Sequence, residues 1–193
     1  MGGMIWREDA NRRVKLTYDD YVHVPDDGQR HELIDGEHYV SASPNTRHQR
    51  VAVRLSLVLG RWLEEHPVGE MFFAPFDVVF TRFDVVVPDI IYISAERAMV
   101  ELNDRHATGA DLVVEIASPS TNQRDRTLKH ALYERAGVVE YWVVDPDADT
   151  IQVYRRRGER FARPVTLAAG RHDVLNTSLL PGFELRLAQV LSR

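Results

Sequence analysis

The sequence contains no cysteine and very little lysine. The absence of cysteine excludes disulfide scaffolds, thiolate metal sites and cysteine nucleophiles. Of the 24 basic residues, only Lys15 and Lys129 are lysines, which raises the question of what each position requires of an ammonium group. No segment approaches the roughly 18 consecutive apolar residues of a membrane span, and the N-terminus lacks an apolar signal core. We therefore expect a cytoplasmic protein without a membrane segment.

The length and charge set further bounds. A chain of 193 residues can bury about 70% of its unfolded surface, and we expect residues 1–14 to form a tail and residues 15–193 a single domain. The formal net charge of −5 argues against non-specific coating of nucleic acid, but it is compatible with a local basic groove. The clearest basic patch, Arg155 to Arg157 in YRRRGER, either contacts phosphates or forms a solvated hairpin tip.

The N-terminal half predicts a short helix, a hairpin and a long helix. Residues 16–25 have Thr17 as a potential N-cap. The dipeptide Asp35-Gly36 lies between two strand-like runs and is a strong hairpin signal. An amphipathic helix is predicted to follow and to end before Pro67. Its apolar face comprises Val51, Leu55, Val58, Leu59 and Trp62.

The C-terminal half predicts strands around one more helix. Three short segments rich in β-branched and aromatic residues are interpreted as strands: EMFFAPFDVVF, VVVPDIIYI and ADLVVEIAS. A helix over 121–136 follows, with a capping box at Ser120 and Gln123 and a stop at Gly137. The next strand, 139–144, should run parallel to the strand before the helix. With a C-terminal hairpin, the fold class is α/β or α+β, a mixed β-sheet flanked by helices.

Two carboxylates lie within apolar strand segments. Asp89 is in VVVPDIIYI, where it shares a face with Val87 and Ile91, and Glu115 is in DLVVEIAS. Pro88 cannot donate to a sheet ladder, so we expect it at an edge or bulge that redirects Asp89. Two carboxylates in a place of low dielectric constant repel each other unless they share a proton or a cation. Because Mg²⁺ prefers oxygen ligands, the pattern predicts a metal site.

Lys129 is placed one helical turn after Asp125 and one turn before Tyr133. If the turn after Glu115 folds this helix back over the sheet, Lys129 can orient water or stabilise charge on a pentacovalent phosphate. The alternative is a surface lysine paired with Asp125. Tyr133 is expected to be a core residue with a hydrogen-bonded hydroxyl.

Several segments resemble the Uma-two family of the PD-(D/E)XK, or restriction-endonuclease-like, superfamily. They are RHELIDGE, SPNTRHQRVAVRL, PFDVVF, VVPDIIYIS and DLVVEIASPSTNQRDRTLKHALYERAGVVEYWVVDP. The resemblance covers about residues 15 to 155 and implies a restriction-endonuclease-like fold with a metal-dependent phosphodiesterase core. It implies Asp89 and Glu115 as metal ligands, and Glu32 as an additional catalytic and metal-binding acid. Ala117 replaces the lysine of the E-x-K motif, so Lys129 on the following helix is its expected equivalent.

The predicted function is therefore a Mg²⁺- or Mn²⁺-dependent nuclease acting on DNA. The alternative is a catalytically inactive module of the same fold that binds nucleic acid or protein. Asp77 could join the acidic cluster or pair with an arginine, and His48 could face the site or have a structural role. A β-edge near the C-terminal hairpin makes a homodimer a reasonable expectation.

Overall fold

The computed structural model describes residues 14–41, 43–118 and 125–192. Its α-helices are α1 (Tyr18–Tyr21), α2 (Thr46–Glu65), α3 (Ala95–Glu101), α4 (His130–Arg135) and α5 (Ala188–Leu191). A π-helical turn, Asp125–Lys129, leads into α4. The predicted capping box at Ser120 and Gln123 lies outside the described residues.

The strands were largely anticipated from the pattern of the sequence. In chain order they are β1 (Arg30–Ile34), β2 (Glu37–Ser41), β3 (Gly69–Phe73), β4 (Asp77–Thr81), β5 (Asp84–Val86), β6 (Ile90–Ser94), β7 (His106–Ala107), β8 (Leu112–Ile116), β9 (Glu140–Asp145), β10 (Thr150–Arg157), β11 (Arg160–Phe161), β12 (Val165–Ala168), β13 (Val174–Asn176) and β14 (Glu184–Arg186). A five-stranded sheet has the order β2-β1-β5-β4-β7. A seven-stranded sheet has the order β11-β10-β9-β8-β6-β3, with β12 also paired to β10, and β13 and β14 form a separate pair.

The elements next to the candidate site follow the predicted local signals. The β1–β2 turn has positive φ at Asp35 (54°) and Gly36 (74°), as a type I′ hairpin requires. Helix α2 begins after Asn45, whose side chain accepts a hydrogen bond from the His48 backbone amide at 2.9 Å. Strands β8 and β9 are parallel, which confirms the predicted strand-helix-strand unit.

Two predicted strands are each divided between the two sheets. The segment 85–93 separates into β5 of the five-stranded sheet and β6 of the seven-stranded sheet, and 70–80 separates in the same way into β3 and β4. Pro88 and Pro75 lie at these crossings, where a residue without an N–H interrupts a ladder. The prediction of a continuous strand with Asp89 at its centre was therefore wrong. Asp89 lies immediately before β6, at the junction of the sheets.

The core lies on both faces of the seven-stranded sheet. On one face, Leu112, Val114 and Ile116 of β8 pack in a cluster with the buried side of α2, formed by Val51, Leu55 and Leu59. On the other face, Val113 packs in a cluster that includes β5 of the second sheet and Leu132 of α4. Glu115 has the parity of Val113 and therefore points toward this second cluster. Among the described residues, none of the helices has the length and apolarity needed to span a membrane.

Candidate active site at the junction of the two sheets

Lys129 and Glu115 form a buried ion pair. Each is only 2% exposed, and Lys129 Nζ lies 2.8 Å from Glu115 Oε1. The π-helical turn before α4 presents Lys129 to the face of β8 that carries Glu115. The alternative that places Lys129 on the helix surface is therefore wrong, because the ammonium group is enclosed by the fold.

Glu32 brings a second carboxylate to the same lysine. Its side chain is fully buried, and its Oε1 lies 2.8 Å from Lys129 Nζ. The same oxygen accepts a hydrogen bond from the Val87 amide at 3.0 Å, which satisfies a backbone donor at the crossing between the sheets. Lys129 thus connects Glu32 of the five-stranded sheet to Glu115 of the seven-stranded sheet.

Tyr133 also donates to Glu115. Its hydroxyl lies 2.5 Å from Glu115 Oε1, and its side chain is fully buried. Burial raises the pKa of Tyr133 well above its usual value of 10, and the nearby Glu115 charge adds to this effect. The hydroxyl therefore keeps its proton at neutral pH. The prediction of a core tyrosine with a hydrogen-bonded hydroxyl is confirmed.

Asp89 is held by contacts from three directions. Arg30 Nη1 lies 3.0 Å from Oδ1, while His48 Nε2 lies 3.1 Å and the Ile116 amide 2.8 Å from Oδ2. Burial by itself opposes ionisation of this carboxyl, but the His48 hydrogen bond and the Arg30 charge outweigh it and lower the pKa of Asp89 to about 2. Asp89 is therefore ionised across the physiological range.

The sheet register brings Asp89 beside Glu115. Ile90 of β6 pairs with Val114 of β8, so one further step in this antiparallel register places Asp89 opposite Glu115. The backbones of the two residues are therefore neighbours, while the Asp89 carboxylate reaches His48 of α2 and the Glu115 carboxylate reaches Lys129. The hydrogen bond from the Ile116 amide to Asp89 supports this neighbourhood.

The donor chemistry fits a hard divalent cation. Asp89, Glu115 and Glu32 are all carboxylates, and oxygen ligands are those that Mg²⁺ and Mn²⁺ prefer. In the part of the chain that the structure describes, no three acidic or histidine side chains are already arranged as a metal cage. Mg²⁺ commonly uses one or two carboxylates and takes its other ligands from water and substrate phosphate. Asp89 and Glu115 could supply such a pair.

The other residues singled out in the sequence lie around this centre or away from it. Asp77 accepts a hydrogen bond from Tyr21 Oη at 3.1 Å, and burial raises its pKa above the usual 3.8. Arg155 Nε donates to Glu140 Oε1 at 2.5 Å, and Arg156 Nε donates to the Val138 carbonyl at 2.9 Å. Two guanidinium groups of the basic patch therefore stabilise the fold around β10.

Arg30 is the site residue that sequence reasoning missed. Arg30 lies two residues before Glu32 in β1, so the two side chains project from the same face of the strand. This spacing is the sequence signal that could have identified Arg30. Its guanidinium lies between two cavities of 570 and 660 Å³, and it lines both. Asp89 and His48 line the larger cavity, so Asp89 is the acid of this centre that the cavity reaches.

These features define a restriction-endonuclease-like fold with a carboxylate and lysine centre. A crystal structure described as a "putative nuclease belonging to DUF820 from Anabaena variabilis ATCC 29413" has a similar fold. Its TM-score is 0.77 at 19% identity, with 92% of this chain and 98% of that chain covered. At this identity the likeness is one of fold.

The chain belongs to the family described as "Uma2: Putative restriction endonuclease", which matches residues 18–188. This match confirms the resemblance carried by the sequence motifs, and it extends beyond them toward the C-terminus. A comparison with curated proteins found no match.

Proposed function

We propose that the protein is a metal-dependent nuclease that hydrolyses phosphodiester bonds in DNA. The observation that carries this proposal is the buried position of Lys129 between Glu32 and Glu115, with Asp89 beside them. A solitary buried ion pair would need only one acid. Three carboxylates around one lysine and one arginine instead suit a centre that also receives a divalent cation.

Asp89 and Glu115 would hold Mg²⁺ or Mn²⁺, and Glu32 would assist from the facing sheet. When bound, such an ion polarises a phosphoryl oxygen and lowers the pKa of water. Arg30 and His48 each contact one oxygen of the Asp89 carboxylate and so fix its orientation. They act as positioning residues. The low pKa of Asp89 keeps it ionised and therefore ready to ligate a cation.

Lys129 would act on the reacting groups. Glu32 and Glu115 fix its ammonium group at the point where the two sheets meet. From there it can donate to the attacking water, or to the phosphate oxygen that gains negative charge in the transition state. Lys129 can replace the missing E-x-K lysine because the π-helical turn that carries it brings its ammonium group to the Glu115 carboxylate.

The test compares two buried acids near opposite ends of β8. Glu115→Gln removes a proposed ligand, whereas Asp111→Asn removes an acid that accepts hydrogen bonds from the Ser94 amide and from Arg97. Cleavage of labelled DNA with Mg²⁺ or Mn²⁺ is measured beside Mn²⁺ binding by calorimetry. We expect Glu115→Gln to lose at least about 100-fold in cleavage and to lose Mn²⁺ binding. Asp111→Asn should keep both while losing some stability.

The outcomes separate clearly because both substitutions preserve side-chain shape. Equal loss of activity in the two variants would assign the effect to stability and contradict the ligand role of Glu115. Wild-type protein that neither binds Mn²⁺ nor cuts DNA would refute the nuclease proposal.

A second candidate is a catalytically inactive binding module. The observation in its favour is that the acids are already compensated by cations of the chain itself, Arg30 for Asp89 and Lys129 for the two glutamates. The E-x-K position, moreover, is occupied by Ala117. DNA binding without Mn²⁺ binding or cleavage would support this candidate.

The domain organisation, location and assembly of the protein are also proposed. We propose that residues 15–193 form one domain in a cytoplasmic protein, since a chain without cysteine suits a reducing compartment. A homodimer is proposed through the sheet edge near the β10–β12 hairpins. Light scattering of the purified protein tests the assembly.

A further inference from the structure

An exposed aromatic ring lies next to the candidate active site. Phe73, the last residue of β3, is 63% exposed. It pairs with Ile90, and the amide of the following residue, Ala74, donates to the Asp89 carbonyl at 3.1 Å. The backbone of Phe73 is thus held next to Asp89, a proposed metal ligand. Aromatic faces of this kind are sequence-tolerant stacking platforms for unpaired bases.

Phe73 forms part of an apolar cavity that opens onto Asp89. The cavity measures 660 Å³, and Phe73 and Met71 line it together with Leu57 and Gly60 of α2. Leu57 is 51% exposed, so this wall presents apolar surface to solvent. The volume is within the range of sites that bind small molecules and is sufficient for a nucleoside.

A second cavity, of mixed polar and apolar character, lies on the other side of Arg30. It measures 570 Å³, and its walls include Tyr18, Tyr21, Gln29 and Asp77. Arg30, Gln49 and Ala74 line both cavities, so the two spaces share a boundary. The Arg30 guanidinium, with 24% of its side chain exposed, is at that boundary and contacts Asp89.

This arrangement matches the repeating unit of an unpaired strand, in which a phosphate separates two nucleosides. We propose that the site binds nucleotides that are not base-paired, with one base stacked on Phe73 in the apolar cavity. The adjacent nucleoside enters the second cavity, and the phosphate between them lies against Arg30 beside Asp89. The proposal rests on the proposed nuclease function and specifies its substrate as single-stranded DNA or an unpaired end.

Duplex DNA fits this geometry poorly for a physical reason. Bases in a duplex are stacked on both faces, and removing one from the stack costs a few kcal/mol. A single strand exposes its bases at much smaller cost. The net charge of −5 also disfavours duplex binding that depends on many phosphate contacts.

The experiment measures binding separately from cleavage. A fluorescent oligonucleotide of mixed sequence is titrated with the full chain in EDTA, alone and annealed to its complement, and anisotropy is recorded. We expect the single strand to bind at least about tenfold more tightly than the duplex, since stacking one base contributes about 1–3 kcal/mol. Equal or tighter duplex binding, or no binding of either form, would overturn the proposal.

Two pairs of variants test the apolar cavity. Phe73→Ala should weaken single-strand binding about tenfold, whereas Met99→Ala, which removes a side chain 82% exposed outside both cavities, should leave it unchanged. Gly60→Leu should fill the cavity and weaken binding similarly. Gly60→Ala should have little effect, since its Cβ would meet Met71 Cε at an ordinary 3.7 Å. Unchanged binding in both Phe73→Ala and Gly60→Leu would overturn the placement of the base.

Cleavage in Mg²⁺ or Mn²⁺ then separates this proposal from the nuclease proposal. Cutting of duplex in preference to single strand would retain the nuclease function and refute the unpaired substrate. Single-strand binding that depends on Phe73, without any cutting, would support the two cavities and refute the nuclease function.

Discussion

Strand β8 has a buried carboxylate near each end, and the two differ in their surroundings. Asp111, immediately before the strand, accepts hydrogen bonds from the Ser94 amide at 2.7 Å and from Arg97 at 2.9 Å. The Arg97 side chain is 28% exposed. Glu115 is paired instead with Lys129, which is 2% exposed and is shared with Glu32.

The difference shows what distinguishes a structural acid from a candidate functional one. Both acids are buried and both are paired with a cation, so neither burial nor pairing alone identifies a site. At the Asp111 end, an arginine near the surface compensates the charge. At the Glu115 end, two glutamates share one enclosed ammonium group, where a further cation is electrostatically favourable.

The largest expected effect comes from removing the central lysine. Lys129→Met leaves Glu32 and Glu115 buried without their shared cation, and we expect it to lower the free energy of unfolding by about 3–5 kcal/mol at neutral pH. Urea denaturation of the variant and the wild type measures this loss.

The matched substitution at the other end of β8 is Arg97→Met. Because Arg97 is partly exposed, solvent can take over some of its role, and we expect a loss of about 1–2 kcal/mol. Equal losses of unfolding free energy in Lys129→Met and Arg97→Met would show that Lys129 is an ordinary structural partner. The proposed difference between the two ends of β8 would then be refuted.

An effect of intermediate size is expected from acid titration of Asp89. Its folded pKa of about 2 lies below the usual 3.8, so its ionised form stabilises the fold at pH values above about 4. This contribution, about 2 kcal/mol, is lost as the pH falls through the folded pKa. Stability measured against pH should show this loss in the wild type and not in Asp89→Asn.

Asp77 provides the control for the pH measurement. Burial raises its pKa above the usual value, so its protonation contributes stability as the pH falls, which is the opposite sign. Asp77→Asn should therefore leave the acid loss assigned to Asp89 in place. A profile for Asp89→Asn that parallels the wild type would contradict the assigned pKa.

The smallest effect is expected from single hydroxyl groups. Tyr133→Phe removes a donor to Glu115 without opening a large cavity, and we expect a loss of about 1–2 kcal/mol. Tyr92→Phe, which removes a hydrogen bond to the Val68 carbonyl, should cost about 1 kcal/mol or less because that partner lies nearer solvent. A thermal unfolding series compares them, and a larger loss for Tyr92→Phe would reverse the expected order.

Local signals predicted much of the fold and part of the site. The Asp35-Gly36 hairpin, helix α2 and the parallel β8–β9 pair occur where turn residues and apolar periodicity indicate them. Glu115 and Lys129 lie together as expected from a helix folded back over its strand. Glu32 was identified through the family resemblance, and the structure brings it to the same lysine.

Contacts between distant segments were beyond the reach of such signals. The proline-containing segments were interpreted as single strands because their composition is uniformly apolar, and composition does not reveal that a ladder changes partner sheet at Pro75 or Pro88. Arg30 and His48 reach Asp89 across 59 and 41 positions of the chain. Hydrophobic periodicity extends over only a few residues and therefore cannot predict contacts between residues so far apart in the sequence.

The order of residues thus determined most of the secondary structure, the acidic and basic groups available for chemistry, and the family to which the chain belongs. It could do so because turn preference, apolar periodicity and motif spacing act over a few residues. The folded chain alone determined that Asp89 is held by Arg30 and His48, that Lys129 is enclosed by two glutamates, and that Phe73 lies exposed beside them. Those relations arise where two sheets meet, and they depend on long-range packing and shared burial.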